Sequence, residues 1–306
     1  MDSKALRYFQ AVAELGSYSR GAEFLRISQP AVSRQIRTLE QDLGRPLFVR
    51  HSHGVSLTEA GRTLLERSQA ILRQFEQARD DIRRGEAGAS GTVTLALPPA
   101  AGNLLIPELT RRFTVAYPNV FLRIAAGFSV YIHEWMVRGR VDLACLHDPM
   151  PQPGFPVTKL AREEVFLVGR RGSLDLPRGY ASSQDLATIP LILPARPNAS
   201  RRLLDLWLSR QGSRLDVRME ADDHLIIRAL LKQGLGFSLL TQGAFRHELD
   251  ELQAWPLRPR AFWTLALMEL PNERRSEAVT ALAAMVKPVV RDLLRAGDWP
   301  GASLPD

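Results

Sequence analysis

The chain is predicted to be an α plus α/β protein: an N-terminal winged helix-turn-helix, a long dimerisation helix and a two-lobed α/β domain. Three observations carry this. Residues 28–43 split into an apolar stripe and a polar, cationic face. Residues 58–84 repeat small and apolar positions at steps of three and four. Past residue 91, short apolar runs alternate with helical patterns, as in a parallel sheet with crossover helices.

Leu6, Phe9, Val12 and Ala13 predict a first amphipathic helix ending near Gly16, and Ser17 or Ser19 can cap a short one from Arg20 to Leu25. Arg26-Ile27 turns the chain into Ser28, an N-cap candidate, with Pro30 in the first turn of the next helix. There Val32, Ile36, Leu39 and Leu43 form the apolar stripe. Gln29, Pro30, Ser33, Arg34 and Arg37 lie on another face, fit to enter a major groove, where Gln and Arg bond base edges and Ser bonds bases or phosphate. Two short strands follow, Leu47–Arg50 and Val55–Leu57, around the turn His51-Ser52-His53-Gly54. They read as the wing, with Arg50, His51 and His53 against phosphates or the minor groove; a solvated turn is the plainer reading of the two histidines. No spacing supports a metal ligand.

Thr58 can cap a helix to about Arg84. Leu64, Ile71 and Ala78 form one heptad series, and Gly61, Ser68, Phe75 and Ile82 the other. Such a seam is expected to pair with a second copy through residues 58–84. Gly85 to Gly91 reads as a hinge. The predicted domains are therefore 1–58, 59–90 and 91–306, the last with one lobe at about 91–161 and 268–306 and another at about 162–267.

In the third domain, strands are predicted at Thr92–Leu97, Val120–Ala125, Val141–Leu146, Val157–Leu160, Val165–Gly169, Leu191–Leu193, near Val217, at Phe237–Leu240 and at Phe262–Met268. Helices are predicted at Leu104–Tyr117, Val130–Gly139, Ser200–Ser209, Asp222–Gln233 and Arg275–Leu294, with Gly297–Asp306 a loose tail. Two lobes joined by crossing strands leave a hinged cleft, where ligands favour strand ends and helix N-termini.

Composition permits this plan without specifying it. The 306 residues are 45% hydrophobic and 24% charged, with net charge +7; residues 1–90 hold only +3 of it, so no basic tail marks a polyanion partner. A lone cysteine, Cys145, excludes an intrachain disulfide framework and fits a reducing compartment. With no signal-type apolar run and no membrane-length apolar stretch, a cytoplasmic location without membrane contact is expected. An enzyme would have to use Cys145, His147 and Asp148. Their spacing provides no nucleophile, base and orienting acid, so no catalytic residue and no cofactor are expected; His147 instead reads as a cleft contact.

Residues 1–62 closely resemble the LysR-type transcriptional regulators. The resemblance runs through Leu6-Arg7-Tyr8-Phe9, Gly16-Ser17-Tyr18-Ser19-Arg20, Ala22-Glu23, Ser28 to Ile36, Leu39-Glu40, Leu43-Gly44, Leu47-Phe48, Arg50 and Leu57 to Gly61. A looser likeness continues through Pro107, Phe113, Tyr117-Pro118, Gly139, Val141 to Ala144 and Gly234 to Gly236. It implies a regulator that binds double-stranded promoter DNA, commonly as a homotetramer. It also implies a periplasmic-binding-protein-like domain that takes up a small-molecule effector and alters DNA bending, with RNA polymerase as a further partner. An effector-independent architectural DNA-binding protein is the alternative.

The resemblance places effector contacts at Pro99, Ala100 and Ser129. Ala100 stands where many members carry Ser or Thr, which weakens the hydrogen-bonding case for a carboxylate. Ser129 can equally be a plain N-cap. Arg196 and Arg202, with Arg201 between them, can face the cleft as guanidinium groups for a carboxylate or phosphate, or form a solvated basic loop. Thr241 is a further candidate. Gly21, where the family usually has alanine, costs about 1 kcal/mol of helix propensity.

Overall fold

The computed structural model describes residues 1–83, 89–212, 215–271 and 275–305. It divides into two compact units, Met1–Gly88 with Val137–Arg140, and Ala89–Met136 with Val141–Asp306.

In the first unit, α1 (Ser3–Leu15), α2 (Tyr18–Leu25) and α3 (Gln29–Leu43) precede a two-stranded wing, β1 (Phe48–His51) and β2 (Gly54–Leu57), and a long helix, α4 (Glu59–Arg83). Asp2 caps α1 and Ser17 caps α2, so the short helix starts at Tyr18, two residues before its predicted start. Gly21 has a packing reason: a Cβ there would come within 2.9 Å of Val12 Cγ2, so glycine lets α2 close on α1. Phe9, Val12, Val32, Ile36, Leu39 and Leu47 form the core, all but sealed from solvent. Leu43, expected in that stripe, is 40% exposed, because α3 ends at Leu43 and turns at Gly44, past the last neighbouring helix. Ser28 occupies the N-cap position of α3, yet its hydroxyl makes no capping bond.

Helix α4 starts as expected, with Thr58 Oγ1 accepting from Gly61 N–H at 3.0 Å. Its predicted seam divides. Gly61 is buried, where a Cβ would lie 2.1 Å from the Leu47 carbonyl oxygen, and Ser68 is fully buried and accepts from Gln10 Nε2 at 3.0 Å. Leu64 packs on the same core. These three positions are used inside the chain's own unit; Phe75 and Ala78 are exposed. The side chain of Ile82, Arg84 and residues 85–88 of the predicted hinge lie outside the described residues.

The second unit opens with β3 (Gly91–Leu97), α5 (Pro99–Ala116), β4 (Val120–Ala126), α6 (Ser129–Val137) and β5 (Leu143–His147). β3 pairs in parallel with both β4 and β5, and the buried Asp142 carboxylate accepts from Thr94 N–H at 2.8 Å beside them. The two strands expected at Val157–Leu160 and Val165–Gly169 are one strand, β6 (Val157–Arg170). The polar residues Arg162, Glu163 and Glu164 between the apolar runs suggested a break, but they keep the ladder because partners flank β6 along its length.

The second lobe holds β7 (Ala181–Ser182), α7 (Ser183–Leu186), β8 (Leu191–Leu193), α8 (Ala199–Ser209), β9 (Val217–Glu220), α9 (His224–Lys232), β10 (Ser238–Thr241) and β11 (Leu252–Arg258). Then come β12 (Phe262–Glu269), α10 (Glu277–Ala296) and β13 (Ala302–Ser303). The sheet order is β4-β3-β5-β12-β6-β11-β7, with β10 and β13 also on β6. Strand β6 pairs antiparallel to β12 over residues 157–164, and to β10 and β11 over residues 165–170. One continuous strand therefore serves both lobes, each with its own core. These antiparallel partners make the sheet mixed, where a parallel one was expected.

The tail from Gly297, expected to be loose, is anchored. Trp299 is 2% exposed in the first lobe's core, and Ala302 and Ser303 pair with Glu163 and Arg162 of β6. Trp299→Ala is expected to cost about 3–5 kcal/mol of unfolding free energy, measured by denaturant titration of the full chain. Unchanged stability would show that the tail is dispensable.

Candidate functional site

Two sites emerge. On the first, α3 stands on its buried stripe and leaves Gln29, Pro30, Arg34 and Arg37 exposed, with Ser33 half-buried beside them. Neither Arg34 nor Arg37 forms an ion pair with any described residue. The wing is set against this helix by Glu40, whose Oε1 accepts from Leu47 N–H at 2.7 Å and Phe48 N–H at 3.3 Å. At the wing, Arg50 lies over the Tyr18 ring at 5.5 Å. Burial, chiefly, raises the Tyr18 pKa above its ordinary value. His51 Nε2 lies 2.7 Å from Ser56 Oγ, and His53 is in the exposed turn. The surface is thus a protruding helix end and a ribbon whose outward donors suit a polyanionic duplex.

The second site is the cleft of the two-lobed unit. A cavity of about 520 Å³ is lined by Pro99, Ala100 and Asn103 of α5, Phe128, Tyr131 and Trp135 around α6, and Asp222, Asp223, His224 and Arg228 around α9. A space of about 140 Å³ lies by Ser129, His147, Asp148, Asn198 and Arg202. Between them a gap of only about 30 Å³ is bordered by Ala100, Ser129, His147, His224, Thr241 and Trp263. Six of the seven predicted effector positions therefore line one of these spaces. Arg196 does not. Its guanidinium, 69% exposed, pairs with Asp205 at 2.7 Å, because the carboxylate one α8 turn beyond Arg201 is nearer than the cleft. Arg201 is buried and held by Asp205 and Glu220. Arg202 donates to the Asp148 carbonyl at 3.3 Å.

The cleft floor is already satisfied internally. Ser129 Oγ accepts from His147 N–H at 3.0 Å, so the hydroxyl ties the start of α6 to the end of β5. His147 Nε2 meets Glu163 Oε2 at 2.6 Å, and Trp299 Nε1 donates to Glu163 Oε1 at 3.1 Å. Cys145 is fully buried, and burial pushes its thiol up to about 12, which keeps it protonated near pH 7. Among the described residues no group of three or more His, Cys, Asp or Glu is placed to hold a metal ion. No described helix is long and apolar enough to cross a membrane.

Phe128, Tyr131, Trp135 and His224 were not anticipated. Phe128 directly precedes the anticipated Ser129, and an aromatic three and seven residues further on marks one helix face; that spacing was the available signal. His224 stacks near Phe128, ring centroids 5.3 Å apart, with its Nδ1 buried and unpartnered. Burial, then the nearby His147 and Arg228, hold its pKa down at about 4, so it is neutral near pH 7.

A winged helix-turn-helix joined to a two-lobed domain with a lined cleft defines a DNA-binding regulator that carries its own ligand-binding domain. The chain belongs to the LysR family of transcriptional regulators. Residues 3–62 match the model for the bacterial regulatory helix-turn-helix protein, lysR family, and residues 86–291 match that for the LysR substrate binding domain. The HTH-type transcriptional regulator BbuR of Bordetella bronchiseptica is 30% identical over 98% of this chain and 94% of its own. The nitrogen assimilation regulatory protein nac of Escherichia coli is 29% identical over 84% of each. Among solved structures, the LysR family regulator CbnR aligns with TM-score 0.73 at 21% identity, covering 95% of this chain and 99% of its own. CbnR with its target DNA aligns at 0.72 and 21% identity, over 94% and 100%.

The neutral state of His224 has a consequence for pH. The unfolded imidazole takes a proton near 6.5 and the folded one near 4, so between these values the unfolded state binds more protons and stability falls as pH falls. The unfolding midpoint of the full chain is expected to drop less steeply from pH 6.5 to 4 in His224→Gln than in the parent. Parallel pH profiles would reject the assignment.

Proposed function

We propose that this chain reads promoter DNA with the α3 face Gln29, Pro30, Ser33, Arg34 and Arg37, while Arg50, His51 and His53 of the wing hold phosphates. It acts in the cytoplasm as a homo-oligomer. Dimers form through α4, a pair of dimers makes a tetramer, and RNA polymerase is its further partner. A small-molecule effector in the cleft alters how the DNA is bent, with no other cofactor. The supporting observation is the unpaired, outward cationic face of α3 standing on the buried Val32, Ile36 and Leu39. The effector acts by its difference in affinity between two arrangements of the assembly, since a ligand that binds both equally shifts neither. Because Gly61, Leu64 and Ser68 are committed to the chain's own core, the self-contact falls further along α4, around Ile71, Phe75 and Ala78.

Arg34→Ala is expected to cost about 1–3 kcal/mol of affinity for the specific operator at fixed salt, read by titration of a labelled duplex. Unchanged affinity would remove α3 from the reading role, and uniform, length-dependent coating of any duplex would mark an architectural binder instead. Phe75→Glu, which places a charge in the exposed part of the seam, is expected to shift the sedimenting species toward monomer. An unaltered oligomer would place the contact elsewhere.

A further inference from the structure

We propose that the large cavity of the cleft takes a cationic aromatic ligand, an amine carried on a flat ring, and that carboxylates are excluded from it. This deepens the reading of the cleft as the effector site and rests on it. The first ground is shape and surface. About 520 Å³ falls in the range of small-molecule sites, ~300–1,000 Å³. Phe128, Tyr131 and Trp135 present three aromatic groups from one helix and the residue leading into it, with the His224 ring beside Phe128. Gly127 makes this possible: a Cβ there would come within 3.0 Å of Trp135 Cη2, so the indole lies against bare backbone at the cavity wall.

Charge is the second ground. Asp222 and Asp223 both line the cavity and both are exposed. Asp222 uses Oδ1 to accept from Ala195 N–H at 3.0 Å, and Asp223 uses Oδ1 to cap α9 by accepting from Leu225 and Ile226 N–H. Neither carboxylate is paired with a cation among the described residues. The cavity's guanidinium, Arg228, is paired with a carboxylate, its Nη1 lying 3.1 Å from Glu248 Oε1 and 3.3 Å from the Ala244 carbonyl oxygen. His224 adds no positive charge near pH 7. The cavity is therefore a set of aromatic faces beside uncompensated negative charge, the combination that attracts an organic cation through ring quadrupoles and a carboxylate together.

The anion-binding groups expected from the sequence are absent from this cavity or engaged elsewhere, for separate reasons. Ala100 offers no hydroxyl, Ser129 is engaged with His147 N–H, Arg196 turns to Asp205, and Arg202 borders the smaller space.

The test uses the full chain with two isosteric pairs, tryptamine against indole-3-propionate and phenethylamine against 3-phenylpropionate. Binding is read by calorimetry and by the unfolding midpoint, and operator binding is measured separately without ligand. The amines are expected to bind and raise the midpoint, and their carboxylate twins to do neither. Asp222→Asn keeps Oδ1 as the acceptor for Ala195 but removes the charge, and is expected to weaken tryptamine at least tenfold. Equal or tighter binding of the carboxylates overturns the charge assignment while leaving the cleft as an effector site. No binding by any of the four probes also overturns the proposal, and intact operator binding then shows that the regulator reading survives it.

Discussion

Glu163 is a carboxylate at 2% exposure in the middle of the strand that serves both lobes, and much of the second unit depends on its being satisfied there. One oxygen meets His147 Nε2 and the other accepts from the Trp299 indole. An ionised carboxylate buried without such partners would cost several kcal/mol, so the register of β6, the placing of the tail and the end of β5 are mutually constrained. The constraint reaches the cleft because the backbone N–H of the same histidine is bonded to Ser129 at the head of α6. The cleft-facing groups at the floor are thus set by contacts within the second unit itself.

The DNA-reading unit obeys a different logic. Its core is small, and polar clamps orient its parts: Glu40 bonds the start of β1, Thr58 Oγ1 donates to the Pro46 carbonyl at 2.8 Å, and Ser68 is pinned to Gln10 of α1. The clamps at Glu40 and Ser68 satisfy groups that are partly shielded from water, which makes the wing and α4 extensions of α3 rather than appendages. A reading face of cations is tolerable there because the residues beneath it carry no charge at all.

The sequence was most legible where one period persisted. The four-three-four stripe under α3 gave three buried residues of four, and the helices α6, α8, α9 and α10 fall close to their expected places, while α5 starts at Pro99, five residues before the expected Leu104. It was least legible where tertiary partners overrode local cues. Arg162-Glu163-Glu164 looked like a break between strands, yet β12 on one side and β13 on the other keep the backbone paired there. The tail from Gly297 looked loose because a single tryptophan among Gly, Pro and Ser has no periodicity, and only the cavity it fills explains it. The cleft followed the same pattern. Ser129 was findable from its position at a helix start, whereas the aromatic face that follows it has the spacing of an ordinary core helix. Nothing in the local sequence near Arg196 told that Asp205 would claim it.

The anchored tail also orders events in time. Residues 299–303 are synthesised after every strand they support, and α10, which fills the first lobe's core, comes only shortly before. The first unit, by contrast, draws its hydrophobic core from residues 5–72, which are made well before the strands of the second. A nascent chain would therefore hold a finished DNA-reading head while its sensor remains open. Recognition of the duplex would precede any capacity to respond to a signal, with the last-made segment closing the interval between them.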